Sequence, residues 1–150
     1  MTAMVVTEMG RFLISTDQTK LDVDVVYNFL TRSYWAVGIP RETVVRAIEN
    51  SLCFGVYDNA KQIGFARVIS DFATYAYIAD VFILEAYRER GLGKELMASI
   101  MSHPKLQGLR RWGLGTRDAH GLYAQFGFKP VDNPSPIMME IVNADIYSCS

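Results

Sequence analysis

The sequence predicts an α/β fold of mixed α+β type, in which helices layer against one mixed sheet. Three observations lead there. The apolar period changes near residue 52 from helical spacing to an extended, β-branched pattern. A long apolar run, Tyr75 to Leu84, passes through a glycine-bearing turn into a helix. Strand-like and helix-like segments interleave along the chain, as expected of packed layers around one core. A chain of 150 residues is long enough to bury that core, so residues 1–150 read as a single domain.

Each element follows from local signals. Residues 1–10 read as a loose leader or edge segment, and Arg11 to Ser15 as a short first strand. Asp22 can cap a helix to about Arg32, with Val25, Val26, Phe29 and Leu30 at helical spacing. An aromatic linker, Ser33 to Pro40, leads to a second helix from Arg41 to Asn50. Leu52–Tyr57 and Ile63–Ile69 flank the turn signal Asp58-Asn59-Ala60-Lys61 and predict a hairpin. Tyr75–Leu84 is apolar enough to predict a central strand buried on both faces. Gly91 opens a helix with Leu92, Leu96, Met97, Ile100 and Met101 on one face, and Pro104 stops it at His103. Arg110–Gly115 reads as a strand, Asp118–Phe126 as a short helix closed by Gly127, and Ile137–Val142 as a last strand.

Composition excludes several classes of function. Half the residues are apolar and the formal net charge is -1, so no broad basic face invites nucleic acid. No apolar run approaches the ~20 residues that span a bilayer, and the first residues show no signal peptide. Cys53 and Cys149 are the two cysteines; they form neither a disulfide framework nor a metal-ligand spacing. The expectation is a reduced, cytoplasmic protein without metal, nucleic-acid or membrane partners.

The richest stretch is Arg88-Glu89-Arg90-Gly91-Leu92-Gly93-Lys94, where a buried strand turns into a helix. The first backbone N–H groups of a helix lack intrahelical partners, and the macrodipole places partial positive charge there. Glycines let a phosphate oxygen approach without meeting a Cβ, and Arg88, Arg90 and Lys94 add charge. These properties describe a phosphate or pyrophosphate site; a plain tight turn is the competing reading. A P-loop is excluded because Glu95 follows Gly93-Lys94, and a dinucleotide fingerprint because its third glycine is missing.

Tyr87-Arg88-Glu89-Arg90-Gly91-Leu92-Gly93 resembles the Q/R-x-x-G-x-G/A signature of the GNAT superfamily of N-acetyltransferases. Thr116 to Phe128 resembles that family's later motif, N-x-x-A-x-x-L-Y-x-x-x-G-F, with Ala119, Leu122, Tyr123, Gly127 and Phe128 in register. The resemblance extends over nearly the whole chain and implies a mixed, mostly antiparallel sheet of six to seven strands, flanked by about four helices and splayed between strands four and five. It implies acetyl-CoA as cosubstrate, with its pyrophosphate on residues 88–94 and its pantetheine arm along Val81, Phe82 and Ile83. Thr116, in place of the family's asparagine, would add a hydroxyl. Tyr123 takes the place of a general acid to the thiolate; its bland alternative is an aromatic packed beside Phe126 and Phe128.

The resemblance also places the acceptor between the first two helices, their linker and the strand ends, which offers Tyr34, Trp35, Arg67, Tyr75 and Tyr77. Arg67 would either bind a substrate carboxylate or pair with Asp71, Asp80 or a carbonyl. The base stays open among Asp80, Asp71 and a water chain, since Tyr77 stands near the glutamate position of some members. His103 and His120 read as surface residues, and Met97, Met101, Met138 and Met139 as core or edge filler. The expected function is acetyl transfer to a primary amine of a small molecule. A protein or peptide acetyltransferase and a non-catalytic acyl-CoA-binding sensory module are the alternatives, and a homodimer is left open.

Overall fold

The computed structural model describes residues 4–6, 11–131 and 137–148, the first three by backbone alone. Six strands are present among them: β1 (Met4–Val6), β2 (Phe12–Ser15), β3 (Leu52–Asp58), β4 (Lys61–Ser70), β5 (Tyr75–Ile83) and β6 (Arg111–Leu114). They lie in sequence order across one sheet, and every pair is antiparallel except β5 with β6. The first residues thus include an edge strand. The helices are α1 (Val23–Leu30), α2 (Arg41–Glu49), α3 (Leu92–Ser102) and α4 (His120–Ala124).

The helices cover both faces. On one, Phe12, Ile14, Phe54, Val56, Ala76 and Ile78 pack with Leu92, Leu96, Met97 and Ile100 of α3. On the other, Cys53, Phe65 and Phe82 pack with Val26 and Leu30 of α1 and Val44 and Ile48 of α2. Asp22 caps α1 as expected, accepting from the N–H groups of Asp24 and Val25. The N–H of Asp22 itself donates to the buried Gln62 Oε1 at 2.7 Å, which ties the start of α1 to β4.

One irregularity decides where side chains point. Phe65 pairs with Phe82 and Arg67 with Ala79, so Ala66 faces both Asp80 and Val81 in a β-bulge. Asp80 takes the extra turn at φ 56°, an unusual conformation for a non-glycine residue. The bulge inverts the alternation of β5. Before it, even-numbered Ala76 and Ile78 face α3; after it, even-numbered Phe82 faces α1 and α2.

Several expectations are corrected. Tyr75 and Tyr77 are 39% and 37% exposed, so the first half of β5 is not buried on both faces. Ile137–Val142 is no strand: its residues are unpaired, and Met138 and Met139 are exposed rather than filler. Strand propensity needs a paired neighbour to count, and none of the described residues supplies one. Helix α4 is shorter than expected, because Thr116 Oγ1 accepts from Ala119 N–H and forms a turn first. It closes with i→i+3 bonds at Gln125, Phe126 and Gly127. His103 is buried rather than a surface residue. Its Nδ1 accepts from Lys105 N–H, its ring stands on edge against Phe54, and burial pulls its pKa down. Cys149 lies outside the described residues.

The core gives a pH prediction. Burial pushes the Cys53 thiol from an ordinary 9.0 up to about 12 and the Tyr57 phenol from 10.0 up to about 12. Above pH 9 the unfolded chain therefore loses protons that the native chain keeps, so unfolding becomes easier as pH rises. The contribution is full below about pH 9 and lost progressively toward pH 12. Urea midpoints should fall between pH 8 and pH 10.5, and Tyr57→Phe should shrink that fall. Equal midpoints at both pH values would contradict the assignment.

Candidate active site

A cleft of about 1120 Å³ opens where β5 and β6 part. Their pairing begins at Tyr75 and Arg111 and ends at Ile78 and Leu114, while β5 continues to Ile83. Among the described residues the strand beyond the bulge thus has no β-partner on its β6 side, and Val81, Phe82 and Ile83 line the opening. One carbonyl is already engaged: Arg88 Nε donates to Ile83 O at 2.9 Å.

At one end of the cleft stands the start of α3. Glu89 and Gly91 adopt left-handed φ values of 65° and 78°, which swing the chain from β5 into the helix. Gly91 is the N-cap and has no side chain to cap with, so the N–H groups of Leu92, Gly93 and Lys94 have no side-chain acceptor. The two glycines differ in kind. Gly91 needs its left-handed φ, whereas Gly93 has an ordinary backbone, and a Cβ there would meet only Leu122 Cδ2 at 3.6 Å. Packing within the chain does not demand a glycine at 93. The loop is anchored by Tyr87, whose hydroxyl donates to Asp58 at 2.9 Å, beside the two-pronged Arg11–Asp58 pair at 3.0 and 2.7 Å.

Tyr123 of α4 reaches the cleft from the other side of the splay. It is only 8% exposed, its ring meets Phe128 edge-on, and its hydroxyl has no hydrogen-bond partner among the described residues. Burial, then the neighbouring Tyr34 and Asp118, push its pKa up, so the phenol is protonated at neutral pH. The cleft therefore offers a free O–H inside a largely apolar wall. Thr116 lines it too, with its oxygen engaged by Ala119 N–H and its proton left to donate.

The α1–α2 linker closes the far end with Tyr34 and Trp35, and Tyr77 joins them from β5. Trp35 Nε1 donates to Asp80 Oδ1 at 2.9 Å, and Arg67 Nε donates to Asp80 Oδ2 at 2.7 Å. Both carboxylate oxygens are thus engaged within the chain. Asp71 lies outside the cleft in the β4–β5 turn. Thr74 Oγ1 and three backbone N–H groups hold its carboxyl well below the usual carboxylate range. Cys53 is buried and protonated, and is no nucleophile.

The structure brings together Tyr34, Trp35, Tyr77, Val81, Phe82, Ile83, Arg88, Glu89, Gly91, Leu92, Gly93, Thr116 and Tyr123. Four other candidates stand apart. Arg67 is held by Asp80 and by Ser51 Oγ, outside the cleft wall. Tyr75 points over β6 toward Gly113 and does not line the opening. The Arg90 guanidinium sits over the Tyr87 ring, and Lys94 is exposed. Sequence reasoning missed Arg117, whose guanidinium lies 3.7 Å from the Tyr34 ring centroid and bridges the cleft from the β6–α4 loop to the α1–α2 linker. Its only sequence signal was its place inside the second motif. Among the described residues no group of three or more His, Cys, Asp or Glu could hold a metal, and no helix is long and apolar enough to cross a membrane.

Known proteins share this arrangement. The acetyltransferase (GNAT) domain family matches residues 49–130, from the end of α2 through the tyrosine helix. A crystal structure of a Xanthomonas campestris pv. campestris protein assigned to the GNAT acetyltransferases superposes with a TM-score of 0.86 at 48% identity, covering 92% of this chain and 97% of that one. A Gibberella zeae protein assigned as an acetyltransferase is 30% identical over 139 residues, 77% of each chain. The ribosomal-protein-S18-alanine N-acetyltransferase of Escherichia coli, at 22% identity and a TM-score of 0.65, shares the fold. The splayed sheet, the glycine turn and the tyrosine helix all lie within the matched region, and the chain belongs to the GNAT family of acetyltransferases.

Proposed function

We propose that this protein moves the acetyl group of acetyl-CoA to a primary amine of a small molecule by direct attack. The observation that carries the reading is one cleft with an uncapped, glycine-bearing helix start at one end and a buried, unpartnered phenol in its wall. The first suits a pyrophosphate. The second suits a leaving group that needs a proton.

The chain's residues divide the work as follows. The N–H groups of Leu92, Gly93 and Lys94 and the charge of Arg88 hold the phosphates. Backbone groups of β5 beyond the bulge that face away from β4, where no described strand pairs, bind the arm and polarise the thioester carbonyl. The amine adds to that carbonyl carbon, the C–S bond breaks, and the sulfur leaves as thiolate with Tyr123 as proton source. The amine attacks in its neutral form, and the proton it sheds leaves to solvent through the open cleft. Solvent returns one to the Tyr123 phenolate. Asp71 lies outside the cleft and both Asp80 oxygens already accept hydrogen bonds. Among the described residues no cysteine stands ready for a covalent route.

Thiol release from acetyl-CoA, measured against a panel of small primary amines, tests the reading. Amine-dependent release with stoichiometric N-acetyl product supports it. Tight CoA binding with no release on any amine or basic peptide would instead support an acyl-CoA-binding module.

A further inference from the structure

The segment 137–142, Ile-Met-Met-Glu-Ile-Val, is rich in strand-forming residues and holds neither glycine nor proline. It is nevertheless unpaired and exposed. In a strand Ile137, Met139 and Ile141 would share one face, and they are 80%, 96% and 100% exposed. Met138 and Val142 stand in water beside them, and so dense an apolar stretch marks a surface that is covered in use. The segment is no loose end, because Tyr147 beyond it packs with the α1–α2 core and lies against Gly38.

The same chain offers a free sheet edge. β6 is the last strand in the sheet order, and among the described residues only β5 pairs with it. Arg111 N–H donates to Thr74 O, so Arg111 and Gly113 turn their backbone groups toward β5. Trp112 and Leu114 turn theirs to the outer edge, where no described residue meets them. Beside that edge the exposed rings of Tyr75 and Tyr77 lie against Gly113. A row of Ile137, Met139 and Ile141 would extend that apolar face. The charges are complementary as well. Arg110 and Arg111 open β6, Glu140 is the one charge in the segment, and none of the three takes part in an ion pair among the described residues.

We propose that these two features serve each other between copies. Segment 137–142 of one molecule adds as a strand to the outer edge of β6 in a second, and the reverse contact closes a symmetric dimer. A foreign partner would satisfy either the segment or the edge. A second copy satisfies both, twice, about one twofold axis. Backbone hydrogen bonds at Trp112 and Leu114 supply the pairing, the apolar row adds buried area, and Glu140 meets the two arginines. The dimer does not depend on what the cleft transfers.

Sedimentation velocity of the full chain between about 1 and 100 µM, with hydrogen exchange read at single amides, tests it. A dimer with a dissociation constant below about 10 µM is expected. Its Trp112 and Leu114 amides should exchange at least about tenfold more slowly than after dilution to monomer. Met139→Asp combined with Ile141→Asp should weaken the dimer by about a hundredfold and release both amides. Both side chains are almost wholly exposed in the protomer, so thermal unfolding of the dilute protein should not change. Glu140→Lys should weaken the dimer about tenfold, by setting like charge against Arg110 and Arg111. A chain that stays monomeric throughout the range overturns the proposal: with both amides protected the segment pairs with β6 of its own molecule, and with both unprotected the edge serves another protein. A dimer that survives the double variant, or one whose Trp112 and Leu114 amides exchange freely, overturns it too, since the contact then lies elsewhere.

Discussion

Tyr123→Phe is expected to lower turnover by about 10²–10⁴-fold while leaving acetyl-CoA affinity and stability nearly unchanged. The substitution removes one oxygen and keeps the ring that meets Phe128 and the core. That oxygen has no hydrogen-bond partner among the described residues, so its loss leaves no donor or acceptor stranded. What disappears is the proton. An ordinary thiol has a pKa of about 8.5 and tyrosine about 10, so transfer to a free thiolate is uphill by about 2 kcal/mol. Burial raises the phenol further and widens the gap. The same apolar wall also penalises a thiolate, which narrows it again. A short hydrogen bond from the phenol to the sulfur then supplies much of the benefit even before the proton moves.

The sign of the pH effect follows. The phenol is competent while protonated, so the acid role persists through neutral pH and fails only above tyrosine's ordinary range. The parent should therefore show an alkaline fall in kcat that the phenylalanine variant lacks. Parental turnover in Tyr123→Phe, on an amine for which chemistry limits the rate, would remove Tyr123 from the mechanism.

Much of this site was legible because its signals are local. Gly91 and Gly93 sit within three residues of each other, and helix-start physics assigns them a role without any tertiary contact. Asp22 as a cap and Pro104 as a stop are likewise local, and both boundaries fall where those residues put them. What escaped depends on contacts between distant residues. The sequence leaves Arg67 open between a substrate carboxylate and Asp71, Asp80 or a carbonyl, and the choice of Asp80 is made by the bulge, which inverts the side-chain phase of β5. A strict alternation read from the sequence cannot contain that inversion. Arg117 on Tyr34 joins two loops far apart in the chain, and no periodicity marks such a pair. His103 was misread because an imidazole near a helix end usually points to water; here it caps the next turn and lies against Phe54. Ile137–Val142 carried the right residue types for a strand but no neighbour to pair with among the described residues.

Gly93→Val should weaken CoA binding by about 10–100-fold with the fold intact. The backbone at 93 is ordinary, and a Cβ there makes only a van der Waals contact with the flexible tip of Leu122, so the helix tolerates the side chain. Valine is also a better helix residue than glycine, so local stability should not fall. The same side chain, however, projects from the first turn of α3 at the mouth of the cleft, where uncapped N–H groups would meet phosphate oxygens. Hydrogen bonds to charged groups are worth about 1.5–3 kcal/mol each, and about 1.4 kcal/mol is tenfold in affinity, so blocking even one gives the expected range. Gly93→Ala should fall between parent and valine, which ties the effect to bulk. Gly91→Ala should behave differently. Its φ of 78° costs an L-residue roughly 1–2 kcal/mol, so that variant should lose thermal stability first and affinity second. Calorimetric titration of CoA into the three variants, with thermal unfolding in parallel, separates the two causes. A Gly93→Val protein that melts with the parent and binds CoA as tightly would move the pyrophosphate away from the start of α3.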